Sequence, residues 1–213
     1  MTIAKEKTET VAFNYDETIR TKASLFEIDG IPIKNVQEFK YLGYKVSNNE
    51  KESDTIDVNY RIALAESKFQ EMKRLLCDRE ISIKLRAKTF LQAYVRSRMC
   101  YSVQAWPPKE SETKILESKW NGFLRRMVNG GYLRKENSMA YRYSNIDLQQ
   151  ITGTSCIRKY IRDQQLKYLA HVCRMNNNDV RNEMLFSQDK KHAVSTWSSL
   201  ERALKMGKSQ KLI

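Results

Sequence analysis

The stretch TIDVNYRIALAESKFQEMKRLL, residues 55–76, decides the fold class. Its apolar side chains recur at alternating spacings of four and three residues, at Val58, Ile62, Ala65, Phe69, Met72 and Leu76. That spacing places them along one face of an α-helix. The stretch therefore predicts a long helix whose apolar face packs against other elements.

Downstream of this helix the apolar periodicity continues and predicts three more. The second runs from Ser82, a capping residue, towards residue 106, where a Pro-Pro pair ends it. The third begins at Ser111 and ends at a Gly-Gly pair at 130–131, and the fourth covers about 157–175. The greater part of the chain is therefore expected to be helical.

Upstream of residue 55 the composition is typical of short strands. Residues 10–14 and 24–28 have strand-like composition, and Asp29-Gly30 suits the tight turn of a hairpin. Pro32 predicts that the returning strand lies at a sheet edge, because proline has no N–H to donate. The polar residues 48–54 predict a closing loop.

These patterns predict an α+β fold, with a small antiparallel β-hairpin or sheet unit at the N-terminus followed by a mainly α-helical bundle. Charge divides the chain in the same way. Residues 1–54 carry 8 basic and 10 acidic side chains, residues 55–135 carry 17 and 8, and residues 136–213 carry 13 and 7. We therefore predict three segments: a sheet segment (1–54), a basic helical segment (55–135) and a helical connector with a tail (136–213).

The charge of the whole chain indicates the class of partner. With 38 Lys and Arg against 25 Asp and Glu, the formal net charge is +13, which favours an anionic partner and nucleic acid first of all. No run of about eighteen apolar residues appears, and the first residues lack the apolar core of a secretory signal. We therefore expect no membrane partner and an intracellular location, nuclear or cytoplasmic.

Signals for catalysis are weak. The four cysteines are scattered and are expected to be reduced thiols, and no nucleophile elbow, phosphate-binding glycine loop or dinucleotide fingerprint is present. Cys156, His171 and Cys173 come closest to a metal cluster, but their spacing matches no compact zinc module. We interpret them as buried helix residues and predict no metal site, with a metal enzyme using these three residues as the alternative.

The order of several short motifs resembles one family. Lys7-Thr8-Glu9, a hairpin, the aromatic run from Phe39 to Gly43 and the helix after residue 55 resemble the palm end and thumb of LINE-type (non-LTR) retrotransposon reverse transcriptases. Four further strings follow in that family's order: ISIKLR (81–86), YSVQAW (101–106), FLRRM (123–127) and YLAHVCRM (168–175). The resemblance covers nearly the whole chain.

The resemblance implies roles for two sites near the N-terminus. Lys7 would lie in the palm near the incoming nucleotide, and Tyr41, Leu42 and Gly43, with Phe39 before them, would form a primer grip. A glycine lets the backbone approach a sugar-phosphate closely, which is consistent with that role. The alternative is that the apolar side chains fill the core between sheet and first helix, and both roles can coexist.

The resemblance also implies which parts of the polymerase active site this chain lacks. The family's metal-binding aspartates lie upstream of the Lys-Thr pair, so no catalytic residue and no cofactor is predicted in this chain. Magnesium would be bound by the missing part of the palm, and that polymerase portion is a possible partner. We therefore expect a fragment of an RNA-directed DNA polymerase, inactive alone.

The basic helices would then hold the phosphates of an RNA/DNA template-primer duplex, as a thumb does. The candidate side chains are Lys68, Lys73, Arg74, Lys84, Arg86, Lys88 and Arg96. Two alternatives stay open: a solvated charged face, and a domesticated helical module that binds nucleic acid or protein with no polymerase role.

Overall fold

The computed structural model describes residues 4, 7–13, 15–106, 108–128, 132–133 and 141–175, and of residues 50–54, 132–133 and 141 it describes the backbone alone. The described residues form two compact units. The hairpin unit comprises those within Met1–Lys73 and Tyr94–Tyr101, and the helical unit comprises those within Arg74–Ala93 and Ser102–Ile213. The three segments predicted from charge and composition divide the chain differently and stay a prediction.

The hairpin unit begins with a three-stranded sheet. Its elements are β1 (Glu9–Thr10), α1 (Glu17–Arg20), β2 (Ser24–Ile28) and β3 (Ile31–Asn35). Strand β3 lies in the middle, antiparallel to β2 and parallel to β1. The predicted α+β fold, with its small N-terminal sheet, is thus confirmed, and β1 adds a parallel pair to it.

Pro32 was expected at a sheet edge, and that prediction is wrong because β3 is the central strand. The amide of Asn35 donates to Ala23 beside β2, whereas the amide of Val36 donates to Thr10 in β1. Alternation along the strand therefore turns the Pro32 nitrogen towards β1. Because β1 pairs only with Lys34 and Asn35, the missing N–H of Pro32 breaks no bond between these strands.

A second hairpin follows, formed by β4 (Glu38–Tyr41) and β5 (Tyr44–Ser47). Leu42 and Gly43 form the two-residue turn of this hairpin, between Tyr41 and Tyr44. Opposite pairs across the hairpin are Phe39 with Val46 and Lys40 with Lys45. Strand β5 packs along the long helix that comes next.

That helix, α2 (Glu50–Glu71), is followed by the short α3 (Lys73–Leu76). It begins at Glu50, so the expected loop over 48–54 is shorter than predicted. The predicted apolar face is confirmed for Val58, Ile62, Ala65 and Phe69, which are all buried. Helix α2 packs against strand β5 and against a short helix at Ser97–Met99.

The second predicted helix is irregular. It consists of α4 (Ile83–Leu85), a π-helix (Arg86–Arg96) and α5 (Ser97–Met99), and it ends well before residue 106. Its fully buried side chains recur every four residues, at Ala87, Leu91, Val95 and Met99. In a regular α-helix a four-residue step drifts by about 40°. A π-helix has more residues per turn than an α-helix, so its buried positions need not follow the alternating threes and fours of an α-helix.

The helical unit is built around α6 (Glu110–Met127), with α7 (Asn145–Thr152) and α8 (Ile157–Val172) packed against it. Leu116, Trp120, Phe123 and Met127 on α6 are buried, as their spacing predicted. Two short strands, β6 (Tyr132–Leu133) and β7 (Tyr141–Arg142), pair with each other. The predicted helix end at 130–131 and the tail after 175 lie outside the described residues.

Candidate nucleic-acid interface

The tip of the β4–β5 hairpin is a two-residue turn with an unusual backbone. Leu42 has φ of +47° and Gly43 has φ of +88°, so both central residues are left-handed. This conformation matches the twist of a hairpin, but it normally takes Asn, Asp or Gly at the first position. A leucine there crowds its Cβ against the carbonyl oxygen that follows, at a cost of about 1–2 kcal/mol.

The side chains at this tip face solvent. Tyr41 is 62% exposed and Leu42 is 79% exposed, whereas Phe39 is half-buried. The alternative in which these residues fill the core is therefore wrong for Tyr41 and Leu42. The tip therefore exposes one aromatic ring and one aliphatic side chain.

Gly43 is required for space as well as for its φ. A Cβ built on Gly43 would lie 3.0 Å from Cε1 of Tyr101. The tip thus lies against the Tyr101 ring, and any residue larger than glycine must displace either the ring or the turn.

A buried ion pair fixes the base of the same hairpin. The Asp57 carboxylate accepts the backbone N–H of Lys45 at 3.0 Å with one oxygen and the Arg61 Nε–H with the other. Arg61 also donates from Nη1 to the carbonyl of Tyr101. Asp57 and Arg61 are 1% and 2% exposed. One ion pair therefore ties together strand β5, helix α2 and the residue whose ring supports the tip.

Neither Asp57 nor Arg61 was identified from the sequence. They stand four residues apart on α2, a spacing that equally describes an exposed surface pair. The one signal is position, because each immediately precedes a buried apolar residue, Val58 and Ile62.

The seven predicted phosphate-binding side chains divide between the units. Three belong to the hairpin unit: Lys68, Lys73 and Arg96. Lys73 is exposed, Arg96 is half-buried, and Lys68 forms an ion pair with Glu71 and lies 5.8 Å from the centroid of the Tyr94 ring. The hydrogen bond from Lys68 lowers the pKa of Glu71.

The other four belong to the helical unit, and one of them is built into it. Arg86 is buried and donates to the carbonyls of Leu76 at 2.7 Å and Ile81 at 2.8 Å. Its guanidinium therefore holds the loop before α4 and is not exposed to solvent. The remaining three side chains, Arg74, Lys84 and Lys88, are exposed.

Lys7, the predicted palm lysine, is exposed in a single turn just before β1, where its amide donates to Ala4 at 3.0 Å. It precedes a strand that pairs with the end of β3. The position of Lys7 relative to a nucleotide stays a prediction.

The alternative metal site does not form. Cys156 is the residue before α8, where its Sγ accepts the Lys159 amide at 3.4 Å, and Cys173 follows the last residue of the same helix. A sixteen-residue helix separates its ends by about 24 Å, so no single ion reaches both thiols. His171 and Cys173 are exposed, so the prediction that they are buried is wrong.

Cys100 is the most buried of the four thiols. Burial raises its pKa to about 12, which keeps it protonated and unreactive at neutral pH.

In the described part of the chain, no helix combines the length and the apolar character needed to cross a membrane. Comparison with protein-family models, with curated proteins and with solved structures gives no match.

Proposed function

We propose that this chain binds a nucleic-acid duplex, with the tip of the β4–β5 hairpin contacting the sugar-phosphate backbone and exposed lysines and arginines contacting phosphates. If the resemblance noted in the sequence holds, the duplex is an RNA/DNA template-primer, the substrate of a LINE-type RNA-directed DNA polymerase. The observation that carries the proposal is the tip itself, which exposes Tyr41 and a left-handed Leu42 on a firmly held base.

The conformation of Leu42 lowers the stability of the free protein, and its exposed side chain does little to offset that loss. Leu42 adopts a conformation that suits Asn or Gly, and its apolar side chain gains nothing from burial. Strained residues persist where surrounding structure holds them, and they concentrate at binding and catalytic sites. An aromatic ring beside an aliphatic chain suits stacking and packing against bases and sugars, whatever the sequence.

The charge of the chain supports the same partner. Contacts from Lys and Arg to phosphates provide affinity without sequence preference, and they release counterions. Lys73, Arg74, Lys84 and Lys88 are exposed and available for such contacts. Binding should therefore be sequence-tolerant and strongly dependent on salt.

The experiment is a fluorescence-anisotropy titration of the full chain with a labelled RNA–DNA duplex at 50 and 200 mM salt. Neutralising four phosphates predicts a loss of affinity of about a hundredfold between the two conditions. Equal affinity at both salt concentrations would contradict the proposal.

A matched pair of variants separates the tip from the rest of the surface. Tyr41→Ala with Leu42→Ala should weaken duplex binding about tenfold, since stacking on one ring is worth about 1–3 kcal/mol. Phe26→Ala with Ile31→Ala removes comparable exposed apolar side chains from the other hairpin and should leave affinity unchanged.

A second candidate is a protein-interaction module, and the β2–β3 hairpin favours it. Phe26 is 64% exposed and Ile31 is 48% exposed. Their cross-strand partners, Ile33 and Ile28, place them on one face of the sheet. Self-association in sedimentation velocity that is lost in the Phe26→Ala and Ile31→Ala double variant, without any duplex binding by the parent chain, would favour this candidate.

A further inference from the structure

Two lysines face each other directly behind the hairpin tip. Lys40 in β4 and Lys45 in β5 are opposite partners. The Lys45 amide donates outward to Asp57, so this is a non-hydrogen-bonded pair, in which side chains approach most closely. Like charges placed directly opposite each other destabilise a sheet.

Both ammonium groups also lie beside the same aromatic ring. The Nζ atoms of Lys40 and Lys45 are 5.3 and 5.1 Å from the centroid of Tyr60 on α2. The ring attracts both cations, so the two ammonium groups share one aromatic partner. Tyr60 also carries a hydroxyl that donates a hydrogen bond.

The negative charge at this cluster is insufficient for two lysines. Glu38 pairs with Lys45 at 2.8 Å, on the same face of the hairpin. Among the residues that the structure describes, no carboxylate forms an ion pair with Lys40, and Asp57 is already neutralised by Arg61. The cluster therefore carries one positive charge in excess.

We propose that Lys40, Lys45 and Tyr60 form a binding site for a phosphate group. A phosphate has several oxygens that accept charge-assisted hydrogen bonds, and lysine binds phosphate as a point charge. One such group neutralises the like-charged pair that the free protein has to tolerate. The phosphate comes from a nucleic-acid backbone, which rests on the proposed function, or from a free phosphate compound.

The free-phosphate arm is an NMR titration of the full chain with inorganic phosphate at constant ionic strength, monitored at the Lys45 amide. Lys40→Gln and Lys45→Gln should each weaken binding about fivefold or more. Lys34→Gln removes an exposed lysine from β3 and should leave binding unchanged, which controls for net charge.

One variant should bind phosphate more tightly, a result that loss of folding cannot produce. Glu38→Gln removes the carboxylate that competes with phosphate for Lys45. Removing a partly exposed charge pair of this kind should strengthen phosphate binding by about two- to fivefold.

The nucleic-acid arm uses a DNA duplex and the slope of log affinity against log salt. Each lysine that contacts a phosphate contributes about 0.9 to that slope. The double variant Lys40→Gln with Lys45→Gln should therefore lower the slope by about two, whereas Lys34→Gln should not change it.

The outcomes separate this site from the proposed function. Phosphate binding that depends on Lys40 and Lys45, in a chain that binds no duplex, supports the site and refutes the proposed function. Duplex binding whose slope is the same in the double variant and in Lys34→Gln excludes the nucleic-acid backbone as the source of the phosphate and leaves the proposed function standing. Unchanged phosphate affinity in Lys40→Gln, or in Glu38→Gln, overturns the site.

Discussion

The two hairpins of the hairpin unit share a turn geometry and differ in everything that surrounds it. Asp29 and Gly30 have φ of +50° and +73°, close to the +47° and +88° of Leu42 and Gly43. A Cβ on Gly30 would meet open space, whereas one on Gly43 would meet the Tyr101 ring. The first turn is thus a product of its own two residues, and the second depends on contacts with residues distant in the chain.

The residue before each glycine shows the same contrast. Asp29 belongs to the few residue types that tolerate a left-handed backbone, because its short polar side chain bonds locally. Leu42 does not belong to them. The Asp57–Arg61 pair holds β5 at Lys45 and the Tyr101 ring lies against Gly43, so contacts with distant residues hold the chain directly after the strained leucine.

Among the substitutions that test this comparison, breaking the buried ion pair should change the free energy of unfolding most. Asp57→Ala leaves the Arg61 guanidinium buried without its carboxylate, which should lower the free energy of unfolding by about 3–5 kcal/mol in urea titrations. Glu38→Gln breaks the exposed pair with Lys45 and should cost about 1 kcal/mol or less. Similar losses in the two variants would show that the buried pair does not support the hairpin.

Adding a methyl group to each glycine compares the two tips directly. Gly30→Ala should cost about 1 kcal/mol, since only the left-handed backbone opposes it. Gly43→Ala should cost about 2 kcal/mol, because the Tyr101 ring must also move. Thermal or urea unfolding measures both, and equal losses would contradict the contact between Gly43 and Tyr101.

Replacing Leu42 should raise the free energy of unfolding, whereas most substitutions lower it. Leu42→Asn relieves the strained backbone and removes little buried surface, so the free energy of unfolding should rise by about 0.5–1 kcal/mol. Affinity for the duplex should fall in the same variant. Asp29→Asn at the first hairpin should change neither quantity, and a destabilised Leu42→Asn would refute the strain.

The smallest expected effect concerns the capping box of α7, which lies outside the hairpins and is formed by residues close together in the chain. The Asp147 carboxylate accepts the amide and the hydroxyl of Ser144, and these bonds lower its pKa. Because the folded pKa is depressed, its stabilisation is present above the unfolded pKa of about 4 and is lost as pH falls through the folded value. NMR titration should show the pKa of Asp147 rising towards its ordinary value in Ser144→Ala, and an unchanged pKa would refute the capping box.

Much of this architecture follows from local patterns. The Asp29-Gly30 turn, the strand at residues 24–28 and the buried faces of α2 and α6 agree with the sequence. Each depends on spacing or on the preference of one or two residues, which are properties of the chain itself.

Other features have weaker local signals. The four-residue spacing of Ala87, Leu91, Val95 and Met99 departs from the alternating threes and fours of an α-helix and could have indicated the π-helix. Arg86 was grouped with surface cations because its type and neighbours are those of an exposed helix face. Its burial depends on two carbonyls, of Leu76 and Ile81, whose position only the folded loop provides.

The amino-acid order alone determined the basic character of the chain, its α+β class and its first hairpin, because these depend on composition and on neighbouring residues. Tertiary structure decided that β3 with Pro32 lies centrally, that Asp57 and Arg61 are buried together, and that Leu42 is held in a left-handed turn with Lys40 and Lys45 behind it. Each of these results depends on groups far apart in the chain, whose mutual distances exist only once it has folded.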